Sequence, residues 1–386
     1  MRAPAVSSLQ RSAATFQPQA RVQPPQPAPS GISGADDVVG RMVEMVNDVT
    51  GGGGGHVQIR LSNFFDAVFH KHSRAELEEA FSCGTPRTTP PLSAAPREWP
   101  HPWVYSRVFL MLFLTFLVLL ALCAIFDNPV GYPGLMFVAA LMVPFSVTVF
   151  FFETNIPRNV SLPRVMEIFF LGGALSLAYP VELIIPGGGS GAVVPSLITG
   201  LTEEIAKVAL VALFLNGTKD ARGMKARNPI LSGMLIGSAV GAGFSVYETA
   251  GYIFYNGFYQ SLTDGSNVMA GMLAVTWVRA LTAIGGHVAW AAIEGGALAL
   301  CDEGRGFRAE HLCSKRFMPF FFICVVLHGV WDMDIPVIDA VSFLGLYPST
   351  VLLIAAVWVV VFSLMHRGIA QVSALAAGAP SYPSRS

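Results

Sequence analysis

Two adjacent carboxylates and a lysine interrupt a long apolar stretch of the sequence. Glu203, Glu204 and Lys207 lie within the apolar run from about 191 to 215, which is long enough to cross a bilayer. Each ionised group at mid-membrane costs roughly 2.5–3.5 kcal/mol on insertion scales, so such groups normally face a wet, protein-lined interior. On a helix, both carboxylates are within reach of Lys207. An internal ion pair accounts for the lysine and one carboxylate, and leaves the other for chemistry.

Further ionisable residues lie in three other apolar stretches. Glu248 follows Phe244 by four residues, Arg279 and His287 share the next stretch, and His328 precedes Asp332 by four residues in the last one. A spacing of four places two side chains on the same helical face. Counted from the outer ends of the predicted spans, the carboxylates and imidazoles fall within a slab about 15 Å deep, at 1.5 Å per residue. We therefore expect them to form one site.

Carboxylates and histidines can activate a water molecule for attack on a carbonyl group. In this interpretation a glutamate is the general base, His328 donates to the oxyanion and Asp332 holds His328 in one tautomer. Lys207 and Arg279 support the site, with Arg279 as an interfacial anchor or as the ion-pair partner of a site glutamate. The predicted catalytic residues are Glu203, Glu204, Glu248, His287, His328 and Asp332.

The same residue types also suit a metal ion. Imidazole and carboxylate ligands fit zinc, and the ligands would then be His287, His328 and Glu203. The motif His-Glu-x-x-His is absent, and the two histidines lie on different predicted helices. We therefore predict no cofactor, with zinc as the alternative.

Composition indicates a membrane protein. Of the 386 residues, 53% are hydrophobic and 13% are charged, against about 25% charged in soluble domains. A net charge of −1 gives no indication of nucleic-acid binding. We predict an all-α, polytopic fold with about eight transmembrane helices. The predicted spans are Tyr105–Phe126, Pro133–Phe152, Val165–Ile184, Gly191–Leu215, Ile230–Asn256, Val278–Leu300, Phe317–Ile335 and Leu344–His366.

The distribution of Lys and Arg predicts the orientation of these spans. Basic residues follow the second, fourth, sixth and eighth spans, and the intervening loops carry none. This alternation places both termini in the cytoplasm of a multi-pass cell-membrane protein. The apolar segment Val268–Trp277 precedes Arg279 and is interpreted as an outer re-entrant or interfacial segment.

The remaining chain divides into four parts. We predict a disordered tail (1–55), a small amphipathic helical module on the cytoplasmic side (56–86), a proline-rich linker (87–104) and a C-terminal tail (367–386), around a transmembrane domain (105–366). In the module, Ser73 and Glu76 form a capping-box pattern. We interpret it as a pair of surface helices, with docking on the membrane domain or on a partner as the alternative.

The motifs resemble the PrsW family of intramembrane proteases, a branch of the superfamily of type II CAAX prenyl proteases. The resemblance covers about 126–366 and rests on the order of Glu203-Glu204-x-x-Lys207, Phe244-x-x-x-Glu248, Arg279…His287 and His328-x-x-x-Asp332. It implies a polytopic helical protease with Glu203 as the base and His328 as the oxyanion donor. Glu248 and Asp332 stand where CAAX proteases carry His and Asn, and both departures match the PrsW branch.

This resemblance also implies a substrate class. The best-known role of the family in bacteria is site-1 cleavage of a membrane-anchored anti-sigma factor. We therefore expect an intramembrane endopeptidase whose partners are a membrane-protein substrate and the lipid bilayer. A proton-coupled transporter with the same buried Glu/His set is the alternative, although the chain lacks the internal repeat that it predicts. A non-catalytic membrane scaffold leaves the charged motifs unexplained.

Overall fold

The computed structural model describes residues 33–52, 59–85, 87–95, 98–177, 180–217, 229–302, 307–335, 339, 342 and 346–377. Every regular element in these ranges is helical, apart from one isolated bridge between Gly191 and Met333. The predicted all-α class is confirmed for this part of the chain. Several of the basic residues that support the predicted orientation lie outside the described residues. They are Lys219, Arg222, Lys225, Arg227 and Arg305.

Fourteen α-helices are present in the described ranges. They are α1 (Ser33–Val49), α2 (Arg74–Phe81), α3 (Val104–Ala124), α4 (Tyr132–Thr154), α5 (Leu162–Glu167), α6 (Gly173–Ser176), α7 (Pro180–Ile184), α8 (Val193–Asn216), α9 (Ile230–Tyr252), α10 (Gln260–Asp264), α11 (Val268–Thr282), α12 (His287–Cys301), α13 (Met318–Trp331) and α14 (Pro348–Ala376). Two π-helical segments, Ile168–Gly172 and Ile253–Tyr259, join α5 to α6 and α9 to α10.

Five helical segments are long and apolar enough to span a membrane. They are Val104–Ala124, Pro129–Thr154, Ile230–Asp264, Val268–Cys301 and Pro348–Ala376. They match five of the eight predicted spans, and the chain is a membrane protein. The count of eight is not confirmed, because the other three predicted spans differ from simple apolar helices. The third is divided among α5, α6 and α7, α8 contains three ionisable residues, and α13 has only 14 residues.

Helices α9 and α12 pack with their backbones in close contact. A Cβ atom on Gly237 would lie 1.9 Å from the carbonyl oxygen of Ala291, and one on Gly241 would lie 2.2 Å from that of His287. A Cβ on Gly233 would meet the carbonyl of Gly295 in the same way, at 2.3 Å. These three glycines, spaced four residues apart, thus form a close-packing face on α9. It fixes the start of α12, where His287 lies.

The segment predicted to be re-entrant or interfacial lies in helix α11. The chain turns at Gly265, which has a φ of +76°, and α11 then runs back against the π-helical segment that follows α9. A short 3-10 turn, Ala283–Gly285, separates α11 from α12. This break explains how 34 residues between Val268 and Cys301 are accommodated without one straight helix.

Helix α1 lies within the segment that the sequence predicted to be a disordered tail. Val43 and Asn47 are buried on α1, and the Asn47 side chain accepts hydrogen bonds from Ser363 at 2.5 Å and Arg367 at 2.8 Å on α14. Arg367 also donates to Thr50. The prediction is wrong over α1, because apolar residues at helical spacing pack on a transmembrane helix. Residues 1–32 lie outside the described residues.

The small module contacts the ends of the membrane helices. Its predicted capping box is confirmed, since Ser73 and Glu76 exchange both hydrogen bonds at the start of α2. Phe64 is buried against aromatic residues of α4 and α14. Arg158, after α4, donates to the carbonyls of Glu79 and Ala80 at 3.0 and 2.9 Å. The module is therefore packed on the bundle, which is the alternative to the preferred surface pair of helices.

Candidate active site

Four helices bring the predicted site residues together. Helix α8 carries the paired carboxylates, α9 carries Glu248, α12 begins at His287, and His328 lies in the last turn of α13. Helices α8 and α13 approach closely at two glycines, since a Cβ on Gly200 would lie 2.9 Å from the backbone nitrogen of Gly329. Small residues at the crossing thus bring His328 next to the helix with the carboxylates.

Glu204 is the buried member of the carboxylate pair. Glu204 and Lys207 are fully buried. One Glu204 oxygen accepts hydrogen bonds from Lys207 Nζ at 2.6 Å and from His328 Nδ1 at 2.6 Å. Since a carboxylate only accepts, Nδ1 of His328 carries the proton and Nε2 remains available. Glu204, rather than Asp332 as expected, thus sets the tautomer of His328.

Glu203 has different surroundings. Its Oε2 atom lies 3.5 Å from His328 Nε2 and 3.9 Å from His287 Nδ1. This oxygen is buried and has no hydrogen-bond partner among the described residues. Glu204 Oε2 is likewise without a partner among the described residues, so the pair differs in that Lys207 and His328 bind Glu204, through Oε1.

His287 connects the carboxylate pair to Glu248. Its Nε2 lies 3.0 Å from Glu248 Oε2, and its Nδ1 lies 2.9 Å from Lys207 Nζ. Because the ammonium group only donates, Nδ1 accepts and Nε2 carries the ring proton. Arg279 donates to the same Glu248 oxygen at 2.5 Å and to Thr249 Oγ1 at 2.9 Å. Of the two roles expected for Arg279, interfacial anchor or ion-pair partner of a site glutamate, the structure shows the ion pair.

These groups border one cavity of about 540 Å³. Five of the six predicted catalytic residues line it, and Glu204 lies behind the wall. Asp332, just beyond α13, places Oδ2 3.5 Å from His328 Nε2. The five lining residues are Glu203, Glu248, His287, His328 and Asp332. The sequence-derived set is therefore one spatial cluster.

Some neighbours of the site were not expected from the sequence. Trp290 stacks on the His328 ring at 4.4 Å between centroids. Glu294 is fully buried, and neither carboxylate oxygen has a hydrogen-bond partner among the described residues. Thr199 and the glycines at 188 and 189 also line the cavity. Their spacing alone gave no signal, although Thr199 lies one helical turn before Glu203.

Three of the residues could hold a metal ion. One ligand atom each from Glu203, His287 and His328 lies within 4.8 Å of the others. Two histidines and one glutamate form a donor set that catalytic zinc takes. The contact from His328 Nδ1 to Glu204 is the kind that orients a metal-bound histidine. The donor set fits zinc, provided that His287 releases one of its two contacts, and it is the set named above as the alternative.

The motifs and the fold agree with a comparison against protein families. The sequence model of the PrsW family intramembrane metalloproteases matches residues 164–365, which is more than half of the chain. The chain belongs to the PrsW family. It is therefore a membrane-embedded protease, as the resemblance implied. The family description includes a metal, whereas the sequence reading favoured none. No curated protein and no solved structure matches the chain.

Proposed function

We propose that this PrsW-family protease cleaves a membrane protein within the bilayer and that Glu203 activates the attacking water. The division between the paired carboxylates supports this assignment. Glu203 lines the cavity with an unpartnered oxygen, whereas Glu204 is buried and bound by Lys207 and His328. A general base must reach the water molecule, so Glu203 fits the role and Glu204 does not.

The proposed reaction begins with a water molecule in contact with Glu203 Oε2 and His328 Nε2, which are 3.5 Å apart. The water oxygen attacks the carbonyl carbon of the scissile bond, and its proton passes to Glu203. As the carbon–nitrogen bond breaks, Glu203 gives this proton to the leaving amine. The products are a carboxylic acid and an amine.

Lys207, Arg279 and His328 organise the charge around the proposed reaction. His328 in its protonated form would donate a hydrogen bond from Nε2 to the oxyanion, while Glu204 accepts the hydrogen bond from Nδ1. Lys207 holds Glu204 and His287, and Arg279 holds Glu248. Both cations therefore act as positioning residues, which keep the imidazole rings in fixed orientations.

A metal ion would be held by Glu203, His287 and His328. When bound, it would supply a Lewis acid that polarises the carbonyl and acidifies the water. Glu204 would still orient His328, and His287 would give up its contact with either Lys207 or Glu248. The same cavity residues would bind the substrate in either case.

The depth of the cavity supports cleavage in one half of the bilayer. Tyr132, at the start of α4, contacts Phe258 beyond α9, and Asn155, after α4, bonds Ser232 near the start of α9. These two contacts mark the two ends of the bundle. Counted along the chain at 1.5 Å per residue, Glu248 lies about 15 Å from Phe258 and about 24 Å from Ser232, and so is nearer the Phe258 end. In the predicted topology this is the outer half. A membrane-anchored anti-sigma factor is the substrate that the family resemblance suggests.

The decisive experiment measures cleavage of a library of single-span membrane proteins by the purified protein in detergent. We expect Glu203→Gln to lose about 10²–10⁴-fold in rate, the usual contribution of a general base. The metal content is measured in parallel, and activity is compared before and after chelation. Loss on chelation with recovery on zinc addition would assign the metal; unchanged activity would assign metal-free catalysis. Full activity of Glu203→Gln would refute the proposed role of Glu203.

A further inference from the structure

The segment Pro186–Gly191, which we call the glycine loop, crosses the edge of the cavity. Gly188, Gly189 and Ser190 line the cavity together with Glu203, and all three are exposed. The loop is fixed at its end by the parallel bridge to the residues that follow α13. The Gly191 nitrogen donates to the Asp332 carbonyl at 2.7 Å, and the Asp334 nitrogen donates to the Gly191 carbonyl at 3.0 Å.

A second attachment ties the loop to the helix that carries Glu203. The Thr199 hydroxyl accepts a hydrogen bond from the Gly189 nitrogen at 2.8 Å and donates to the Gly189 carbonyl at 3.0 Å. Both main-chain groups of Gly189 are therefore used on the side that faces the protein. Thr199 precedes Glu203 by one helical turn, so the position of the loop is set relative to the proposed base.

The main-chain groups on either side of Gly189 remain available. The N–H and C=O groups of Gly188 and Ser190 bond to no described residue. The result is a short, fixed main-chain edge with unpaired donors and acceptors, beside an unpartnered carboxylate.

A transmembrane substrate needs such an edge. In a helix each carbonyl is hydrogen-bonded within the segment, and unwinding the helix in a bilayer leaves N–H and C=O groups unpaired at a cost of several kcal/mol per group. Attack by water requires an accessible carbonyl. An added strand would restore the lost hydrogen bonds next to Glu203.

We propose that the glycine loop binds the unwound part of a substrate's transmembrane segment as an added strand, through the main-chain groups of Gly188 and Ser190. This proposal rests on the proposed function and names how the substrate is held. Tyr252, Tyr255 and Trp331 also line the cavity, and would contact the side chains of the strand. Segments with helix-breaking residues near the cleaved bond should therefore bind best.

The test uses the full-length Glu203→Gln protein and a synthetic Leu/Ala transmembrane peptide of about 20 residues with a central Gly-Pro pair. Each central amide in turn is replaced by an ester, which removes one N–H and retains the shape. We expect binding to weaken roughly three- to tenfold per lost hydrogen bond, at every second position. Three results would overturn the proposal: equal effects at all positions, effects that recur every three or four residues, and no binding of the peptide.

A matched pair of loop variants tests the same edge from the protein side. Ser190→Pro removes one loop N–H, and Ser190→Ala keeps it. We expect only the proline variant to bind the peptide more weakly, and equal binding by both would contradict the assignment. The ester series on the unaltered loop decides the matter if Ser190→Pro does not fold. Cleavage by the wild-type protein tests the proposed function, whereas peptide binding by the Glu203→Gln protein tests the role of the glycine loop. The two proposals can therefore fail separately.

Discussion

The side chains of Glu203 and Glu204 show how neighbouring residues of the same type come to lie in different surroundings. The sequence predicted both as catalytic, since either one lies on a helical face near Lys207. In the structure, Lys207 and His328 both donate hydrogen bonds to Glu204. Glu203, in contrast, lines the cavity. Spacing along one helix could not separate them, because the direction of the cavity depends on where α13 packs.

Removal of Lys207 is expected to destabilise the protein strongly. Lys207→Met leaves Glu204 buried with its main charged partner missing, and breaking one side of a buried pair costs about 3–5 kcal/mol. The free energy of unfolding in mixed detergent micelles measures this change. The double variant Glu204→Gln/Lys207→Met should recover a large part of the loss. A single variant as stable as the wild type would contradict the assigned ion pair.

At the scale of helices, the contact between α9 and α12 decides where His287 lies. Glycines spaced four residues apart are typical of a close-packing helix face, and those of α9 lie at this contact. A break was predicted after Trp277, whereas the structure places it at Ala283–Gly285. The residues of Ala283–Gly285 are as apolar as those around them. Hydropathy therefore indicates a membrane segment here but does not indicate where the helix is interrupted.

A pair of glycine substitutions tests this contact. Gly237→Ala places a Cβ 1.9 Å from a backbone oxygen of α12, whereas a Cβ on Gly251 meets nothing within 4 Å. We expect Gly237→Ala to lose about 1–3 kcal/mol or more from overpacking, and Gly251→Ala to be neutral or slightly stabilising. Thermal unfolding of the two variants in one detergent provides the comparison. Equal stability would show that the two helices are not packed as described.

The whole molecule contains more than the catalytic bundle. Five of the predicted spans, the capping box and the grouping of the site residues follow from sequence patterns. The positions of α1 and the module do not, because their contacts join residues separated by about 80 to 320 positions, such as Glu79 and Arg158 or Asn47 and Ser363. Local periodicity gives no information on such pairs.

Docking of the module is expected to protect one thiol. Cys83 is buried, and burial raises the pKa of its thiol, whereas Cys313 is exposed. Since the thiolate is the reactive form, Cys83 should be alkylated more slowly than Cys313, with a rate that still rises above pH ~8.5, the ordinary thiol value. The assay uses a chain with only these two cysteines. Denaturation should equalise the rates; equal rates in the folded protein would refute the docking.

The predicted orientation can be tested with the same exposed thiol. If both termini are cytoplasmic, Cys313 lies on the inner side, and a membrane-impermeant maleimide should label it only after the cells are opened. A cysteine introduced by Ser266→Cys, at the turn between α10 and α11, should be labelled in intact cells. The reverse pattern would show that the prediction from the Lys and Arg distribution is wrong.

The fully buried ionic contacts of α8 have a consequence for biosynthesis. Glu204 and its partner His328 are separated by 124 residues. At about 5–20 residues per second, a ribosome needs roughly 6–25 s to make the intervening chain. During that time α8 must carry three ionisable groups without the helix that later surrounds them. Newly made α8 therefore depends on the insertion machinery, or on a wet groove beside α9, until α13 emerges.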